Sequence, residues 1–249
     1  MEMEGFQLDR QGDQPILRYL FPPVFCGFSA TLYLKGALME QIDVSESVKE
    51  LLSPELPLVM PRQVHGTNIL LADPSCSLPE RREADGVAIS RSANVAVALQ
   101  FADCWPVILG TPTPEPRFLL LHCGFNGAVS HFVTKALSWA RKEWSADGKD
   151  IWAWLGPGIG PCCYARSATG DLWTKRAFKS FPSRAISRSS GKSVNFDIAS
   201  AIKAEMWQCG LVENQIFILR DCTSCNSDVF YSYRKGDAGR RMILLAFFA

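Results

Sequence analysis

Residues 118–127 read Phe-Leu-Leu-Leu-His-Cys-Gly-Phe-Asn-Gly, and the fold follows from how that run begins and stops. The four apolar residues 118–121 are too few for a helix and predict a buried strand, which His122 and Gly124 bring to a turn. Just downstream, Val129, Phe132, Val133, Ala136, Leu137 and Ala140 recur at helical spacing. Strand gives way to helix within a few residues.

The same signals recur along the chain. Short runs at 68–71, 86–89, 95–101, 106–109, 151–155, 215–219 and 242–248 are rich in Val, Ile, Leu or Phe and bounded by Gly, Pro, Asp or Asn, which predicts strands. Asp197 reads as the N-cap of a helix carrying Ile198, Ala201, Ile202 and Met206, with Gly210 as its stop. Strands and helices do not alternate strictly. The expected fold is therefore α/β of mixed α+β character, a single-domain sandwich over residues 1–249 with a mixed β-sheet. Two stretches are expected outside the sheet: 111–116 for its three prolines, and 181–193, Ser- and Arg-rich, as an exposed insertion.

A chain of 249 residues, 47% hydrophobic, supplies one large core. The net charge of +1 and the lack of a basic stripe argue against nucleic acid or a membrane surface as the main partner. Runs such as FLLL and MILLAFFA are too short to span a bilayer, and the acidic start has no signal-peptide pattern. The nine cysteines then read as reduced thiols or ligands rather than a disulfide framework, and the expected compartment is the cytoplasm. Nothing in these features sets an oligomeric state.

Three histidines occur, His65, His122 and His131. His65 and His122 each stand where an apolar run meets a glycine-containing turn, and Asp103 and Cys104 lie at another strand break. Imidazole, thiolate and imidazole make a soft three-ligand set that suits zinc and leaves a fourth position for water or substrate. Asp103 is placed to partner the ligands or to accept a proton. The spacing matches no zinc-finger pattern, so hydrogen-bonded structural histidines remain the alternative; His131, on the expected helix, reads that way. Cys222 and Cys225 form an isolated C-x-x-C, and Cys162 and Cys163 read as small packed hydrophobes. The glycine-rich loop at 156–160 reads as a tight turn or a cradle for an anion. Arg234, Lys235 and Arg240 surround a later turn, as anion ligands or as solvated charge.

Taken in order, QVHG (63–66), ADG (84–86), ADCWPV (102–107), HCGFNG (122–127), GPGIGPCCY (156–164), DCT (221–223) and FYSYRKGDAGR (230–240) resemble the bacterial laccase-domain family. That family is variously named multicopper polyphenol oxidase, purine nucleoside phosphorylase and peptidoglycan editing factor. The resemblance covers roughly residues 60–249 and implies a fold related to the catalytic domain of cytotoxic necrotizing factor. It implies zinc on His65, Cys104 and His122, with copper less suited because three histidines cannot build a multicopper cluster. It also implies phosphorolysis of a purine nucleoside with phosphate, with adenosine deamination alongside. Cys104, Asp103 and His122 are then the catalytic candidates, and Arg62, Asn126 and Arg234 the substrate-binding ones. Two alternatives stand beside it: a metal-free hydrolase or amidase in which His122 activates Cys104, acting for instance on cell-wall precursors, and a degenerate member that binds a ligand without turnover.

The chain departs from the family pattern in carrying Phe125 for Trp, Asn126 for Arg and Ala165 for an acidic residue, and only GFSAT (27–31) matches the N-terminal motifs. An amide at position 126 offers an anion neutral donors where a guanidinium offers charged ones. Charge-assisted hydrogen bonds contribute about 1.5–3 kcal/mol against about 1 for neutral ones, so the loss is worth about tenfold in anion affinity. Asn126→Arg is expected to lower the phosphate concentration needed for nucleoside cleavage by about that factor. Superimposable phosphate saturation curves for wild type and variant would show that position 126 does not touch the anion.

Overall fold

A computed structural model describes residues 2–36, 48–49, 56–79, 81–188 and 192–249. Its strands are β1 (Glu2–Met3), β2 (Phe6–Gln11), β3 (Gln14–Tyr19), β4 (Phe28–Tyr33), β5 (Leu58–Val59), β6 (Ile69–Leu71), β7 (Gly86–Ser90) and β8 (Ala96–Phe101). There follow β9 (Trp105–Thr111), β10 (Arg117–Cys123), β11 (Trp152–Leu155), β12 (Ala165–Ser167), β13 (Ile186–Arg188), β14 (Ser193–Phe196), β15 (Ile216–Ile218) and β16 (Met242–Phe248). The described α-helices are α1 (Phe125–Val129), α2 (Phe132–Trp144), α3 (Leu172–Ser180) and α4 (Ile198–Gln208). A seven-stranded sheet runs β1-β2-β3-β4-β16-β8-β5, a six-stranded sheet β15-β11-β9-β10-β7-β6, and a three-stranded sheet β12-β14-β13. Most pairs are antiparallel, but β5 with β8, β6 with β7 and β11 with β15 are parallel. The chain is thus a mixed α+β fold with mixed sheets, as expected.

The run at 118–121 is continuously apolar because β10 is covered on both faces. Phe118 and Leu120 join Val87, Ile89 and Ile108 in a core shared with Leu32, Leu99 and Leu244 of the seven-stranded sheet. Leu119 and Leu121 turn the other way, with Val107 and Leu109, against Phe132 and Val133 of α2 and Ile198 and Ile202 of α4. The layers are sheet, sheet and helices. Strands β8 and β9 belong to different sheets and are joined by residues 102–104 alone, a crossover in which Asp103 takes φ +79°.

The expected elements are present, with instructive shifts. Strand β10 extends to Cys123 because it pairs with β9 over its whole length, from Arg117 opposite Thr111 to Cys123 opposite Trp105. The prolines of 112–116 form the connecting turn, while Thr111 itself ends β9 fully buried. Asp197 caps α4 by accepting the Ser200 N–H at 2.9 Å, and Gly210 follows it at φ +96°. Val129 belongs to the separate α1, since His131 at φ +56° interrupts the helix. Glu205 of α4 reaches across to accept from Thr134 N–H and so caps α2 in its place.

Two corrections follow. The stretch 181–193 is not simply an exposed insertion: Phe181 and Ala185 are buried, and β13 pairs with β14, which pairs on its other edge with β12. Residues 189–191 lie outside the described residues. The alternation that marks this sheet is short, Val194 and Phe196 of β14 buried and Ser193 and Asn195 between them half-exposed, because only one side is covered. The N-terminal meander β1–β4 was not foreseen either, β2 burying Phe6 and half-burying Leu8 but ending on the exposed Asp9, Arg10 and Gln11. Among the described residues no helix is long and apolar enough to cross a membrane.

The two-faced burial of β10 sets an expectation for stability. Leu120 is 0% exposed whereas Leu71, at the sheet edge on β6, is 58% exposed. Leu120→Ala should cost roughly 2–5 kcal/mol in chemical denaturation, and Leu71→Ala within about 0.5. Equal losses for the two would contradict the three-layer arrangement.

Candidate functional site

Three chain segments converge at the end of the six-stranded sheet. His122 lies at the end of β10, Cys104 on the crossover from β8 to β9, and His65 on the loop between β5 and β6. Their ligand atoms all lie within 4.8 Å of one another. The two imidazole centroids are 5.0 Å apart, and the His122 ring packs on Phe101 at 5.4 Å, on the side facing the seven-stranded sheet.

Asp85, one residue before β7, fixes two of the three. It is 0% exposed, and its carboxylate accepts the backbone N–H groups of Val64, His65 and Gly66 at 3.1, 3.0 and 2.6 Å. The same carboxylate meets His122 Nδ1 at 2.8 Å, and the His122 N–H donates to the Asp85 carbonyl at 2.7 Å. A carboxylate at Nδ1 makes that nitrogen the donor and leaves Nε2 free as a ligand. Burial works against the Asp85 charge, but the His122 hydrogen bond and the N–H groups of Gly66 and Val64 hold the carboxyl below its usual range. Wrapping three successive N–H groups round one carboxylate bends the chain sharply, and His65 sits at φ +58° there. The sequence reading passed over Asp85; its one signal was the ADG tripeptide at the start of a strand.

The thiol and the imidazoles polarise one another. Burial alone would raise the Cys104 thiol, but the His122 charge and hydrogen bonds from His122 and His65 outweigh it and hold it at about 6. Burial would likewise depress His122, yet the Cys104 thiolate and Asp85 raise it to about 9. The donor chemistry suits a single soft cation: zinc–nitrogen and zinc–sulfur bonds of about 2.0 and 2.3 Å place ligand atoms under about 4 Å apart on a tetrahedron, close to the 4.8 Å within which these three lie. Gly124 keeps the space open, since a Cβ there would stand 2.8 Å from Cys104 Sγ and 3.3 Å from His65 Cδ2.

The cluster opens into a cavity of about 730 Å³ that Arg62, Asp103, Asn126 and Arg234 also line. Arg62 is paired with Glu83. Asn126 stands on α1. Arg234 spans the rim, its Nη1 3.2 and 3.3 Å from the carbonyls of Cys163 and Ala165, and its guanidinium over Tyr164. Asp103 does not partner the histidines, a role that falls to Asp85. Its carboxylate accepts from Thr223 Oγ1 at 2.7 Å and from the Arg234 N–H at 2.8 Å, because the crossover turns it toward residues 221–234. Arg81, Arg166 and Arg241 also line the cavity and were not anticipated. Arg166, from β12, lies 4.5 Å over the Phe125 ring, beside Asn126, and pairs with Asp171. Of the basic turn read as anion ligands or solvated charge, only Arg234 lines the cavity; Lys235 and Arg240 do not.

The loop at 156–160 is a structural turn rather than an anion cradle. The Ile159 N–H goes to the Asp103 carbonyl and the Gly160 N–H to Cys222 Sγ, while Gly158 lies flat on the Trp105 indole. Cys163 packs in part against the helical-side core, as expected, whereas Cys162 is exposed. Both meet Cys222 and Cys225, so the C-x-x-C pair is isolated only in sequence.

Because Asp85 satisfies three N–H groups and an imidazole at once, its loss should be felt in the whole site. Asp85→Ala is expected to cost about 3–5 kcal/mol of stability, the range for removing one partner of a buried charged pair. Urea unfolding measures this, and a cost below about 1 kcal/mol would mean that Asp85 does not hold the site together.

Known proteins resemble this chain at family level. Purine nucleoside phosphorylase of Bacteroides thetaiotaomicron is 28% identical over 185 residues, covering 72% of this chain and 68% of its own length. Purine nucleoside phosphorylase YlmD of Geobacillus stearothermophilus is 30% identical over 159 residues, 62% of this chain and 56% of that protein. The crystal structure of YlmD from Geobacillus stearothermophilus is similar with a TM-score of 0.83 at 24% identity, over 97% of this chain and 98% of that one. Bacillus licheniformis hypothetical protein YfiH is similar at 0.83 and 20% identity, over 99% and 100%. At these identities the structural likeness speaks for the fold alone. A family model matches residues 41–247, most of the chain, and the protein therefore belongs to the family described as multi-copper polyphenol oxidoreductase laccase.

Proposed function

We propose that the chain is a purine nucleoside phosphorylase with one zinc ion on His65, Cys104 and His122, and with adenosine deamination as a lesser activity of the same site. One observation carries the reading: a soft three-ligand cluster shares its cavity with arginines that no described carboxylate neutralises. Among the described residues Arg81 donates to the carbonyls of Met60 and Pro61, Arg234 to those of Cys163 and Ala165, and Arg241 to those of Asp237, Ala238 and Arg240. Carbonyls orient a guanidinium and leave its charge for an anion such as phosphate. The volume is that of a small-molecule site, and Phe125, Tyr164 and Tyr233 line it with aromatic faces suited to a purine. The names of the relatives agree with this substrate class.

In phosphorolysis a phosphate oxygen bonds to the anomeric carbon as the bond to the purine nitrogen breaks, giving ribose 1-phosphate and free base. The contribution of this chain is to hold both reactants in line: arginines on the phosphate, aromatic rings and the Asn126 amide on the nucleoside. A bound zinc ion supplies Lewis-acid polarisation. Asp85 keeps His122 in one orientation, and Asp103 holds the Arg234 backbone against the crossover. Two imidazoles and one thiolate are too few donors for a multicopper centre, and His131 stands apart, 3.4 Å from Glu205.

The Asp85–His122–Cys104 line favours one second reading, a cysteine-dependent hydrolase or amidase with Cys104 as nucleophile. Incubation with adenosine and phosphate should release adenine and ribose 1-phosphate and should stop on chelation. Arg234→Met should raise the phosphate KM about tenfold with a smaller change in kcat. Hydrolysis that survives chelation but not alkylation of Cys104 would move the assignment to the cysteine enzyme. A fully metal-loaded protein that forms no product would be a ligand-binding member.

A further inference from the structure

We propose that Cys162, Cys163, Cys222 and Cys225 form a second metal site, a structural tetrathiolate that holds one zinc ion between the segments 158–164 and 221–226. No residue is shared with the cluster in the cavity.

Geometry is the first argument. A tetrahedral tetrathiolate with zinc–sulfur bonds of about 2.3 Å has sulfur–sulfur edges of about 3.8 Å. The four Sγ atoms lie within 4.8 Å of one another, and Cys225 Sγ is 3.5 Å from both Cys162 Sγ and Cys163 Sγ. Four sulfurs come together from chain positions 63 residues apart, with no carboxylate or imidazole among them. Such an all-sulfur donor set selects a soft cation over magnesium or calcium.

The backbone supplies the second argument. Cys222 Sγ accepts the Gly160 N–H at 3.2 Å, and the N–H groups of Ser224 and Cys225 also turn toward it. A C-x-x-C turn whose N–H groups converge on its first sulfur is built for a thiolate, the form in which cysteine binds metal. The loops that carry the four cysteines are already in register, Gly158 bridging Cys222 and the Thr223 N–H donating to the Gly158 carbonyl at 3.2 Å.

What the ion would hold is the cavity wall. Ile159 N–H and Thr223 Oγ1 both bind Asp103, next to Cys104, and Arg234 Nη1 rests on the Cys163 carbonyl. A cation joining the two loops therefore braces Asp103 and Arg234 from behind.

Elemental analysis tests this on the full chain purified without chelator. Wild type should carry two zinc ions, Cys104→Ala should retain one, and Cys222→Ser with Cys225→Ser should lose the other. Exchange of Co²⁺ into Cys104→Ala should give the intense thiolate-to-cobalt absorption of a four-sulfur site, and the double variant should lack it. If zinc in the cavity is wrong and the cysteine site right, wild type holds one ion that Cys104→Ala keeps and the double variant loses. Should the double variant fail to fold, differential alkylation of wild type decides: metal must protect these four thiols together. Equal metal content in wild type and double variant, four freely alkylated thiols, or a disulfide between Cys225 and either Cys162 or Cys163 in metal-free protein would overturn the proposal.

Discussion

The Asp85 carboxylate is the constraint on which the site depends. A buried charge costs several kcal/mol unless its lone pairs are satisfied, and here three backbone N–H groups and one imidazole satisfy them. In meeting that need the chain wraps residues 64–66 around the carboxylate and swings the His65 ring toward His122. Sheet register sets the rest. Gly86 pairs with Leu121, so Asp85 falls opposite His122, and a slip of one residue would turn that imidazole into the helical layer.

The seam between the sheets explains the remaining geometry. Only residues 102–104 link β8 in one sheet to β9 in the other, and a link so short must turn sharply. Asp103 absorbs the turn, and its carboxylate ties down Thr223 and the Arg234 backbone while Cys104 faces the two imidazoles. Electrostatics follows from the same crowding. The thiol and the imidazole move each other toward the charged pair because they are close and shielded from water. Around them, guanidinium groups held by carbonyls face a cavity that contains no neutralising carboxylate partner for Arg81, Arg234 or Arg241 among the described residues.

Cavity wall and sheet core are thus one construction. The helices bury one face of β10, the seven-stranded sheet buries the other, and its end with the loops beside it carries His65, Cys104 and His122. The cysteines of residues 162–163 and 222–225 lie just behind those loops, where a cross-link has most leverage on Asp103 and Arg234.

Much of this was legible in the chain itself. A run of four apolar residues ended by His and Gly is a strand whatever surrounds it, and Asp197 before Ile198 and Ala201 is a helix cap by local chemistry alone. Scarcity of histidine picked out His65 and His122, and the glycine-containing turns beside them put them with Cys104 as one set. Other features depended on pairing between distant segments, about which local periodicity is silent. Asp85 looks like any Asp before a strand until β7 and β10 are in register. Cys162 and Cys163 look like packed hydrophobes until the β15-to-β16 connection brings Cys222 and Cys225 to them. Strand β2 reads as polar coil because only its first residue is well buried, and Arg166 has no visible tie to Phe125. Backbone propensity and burial period are written locally and survive in the sequence; which charges and sulfurs meet is settled only when the sheets close.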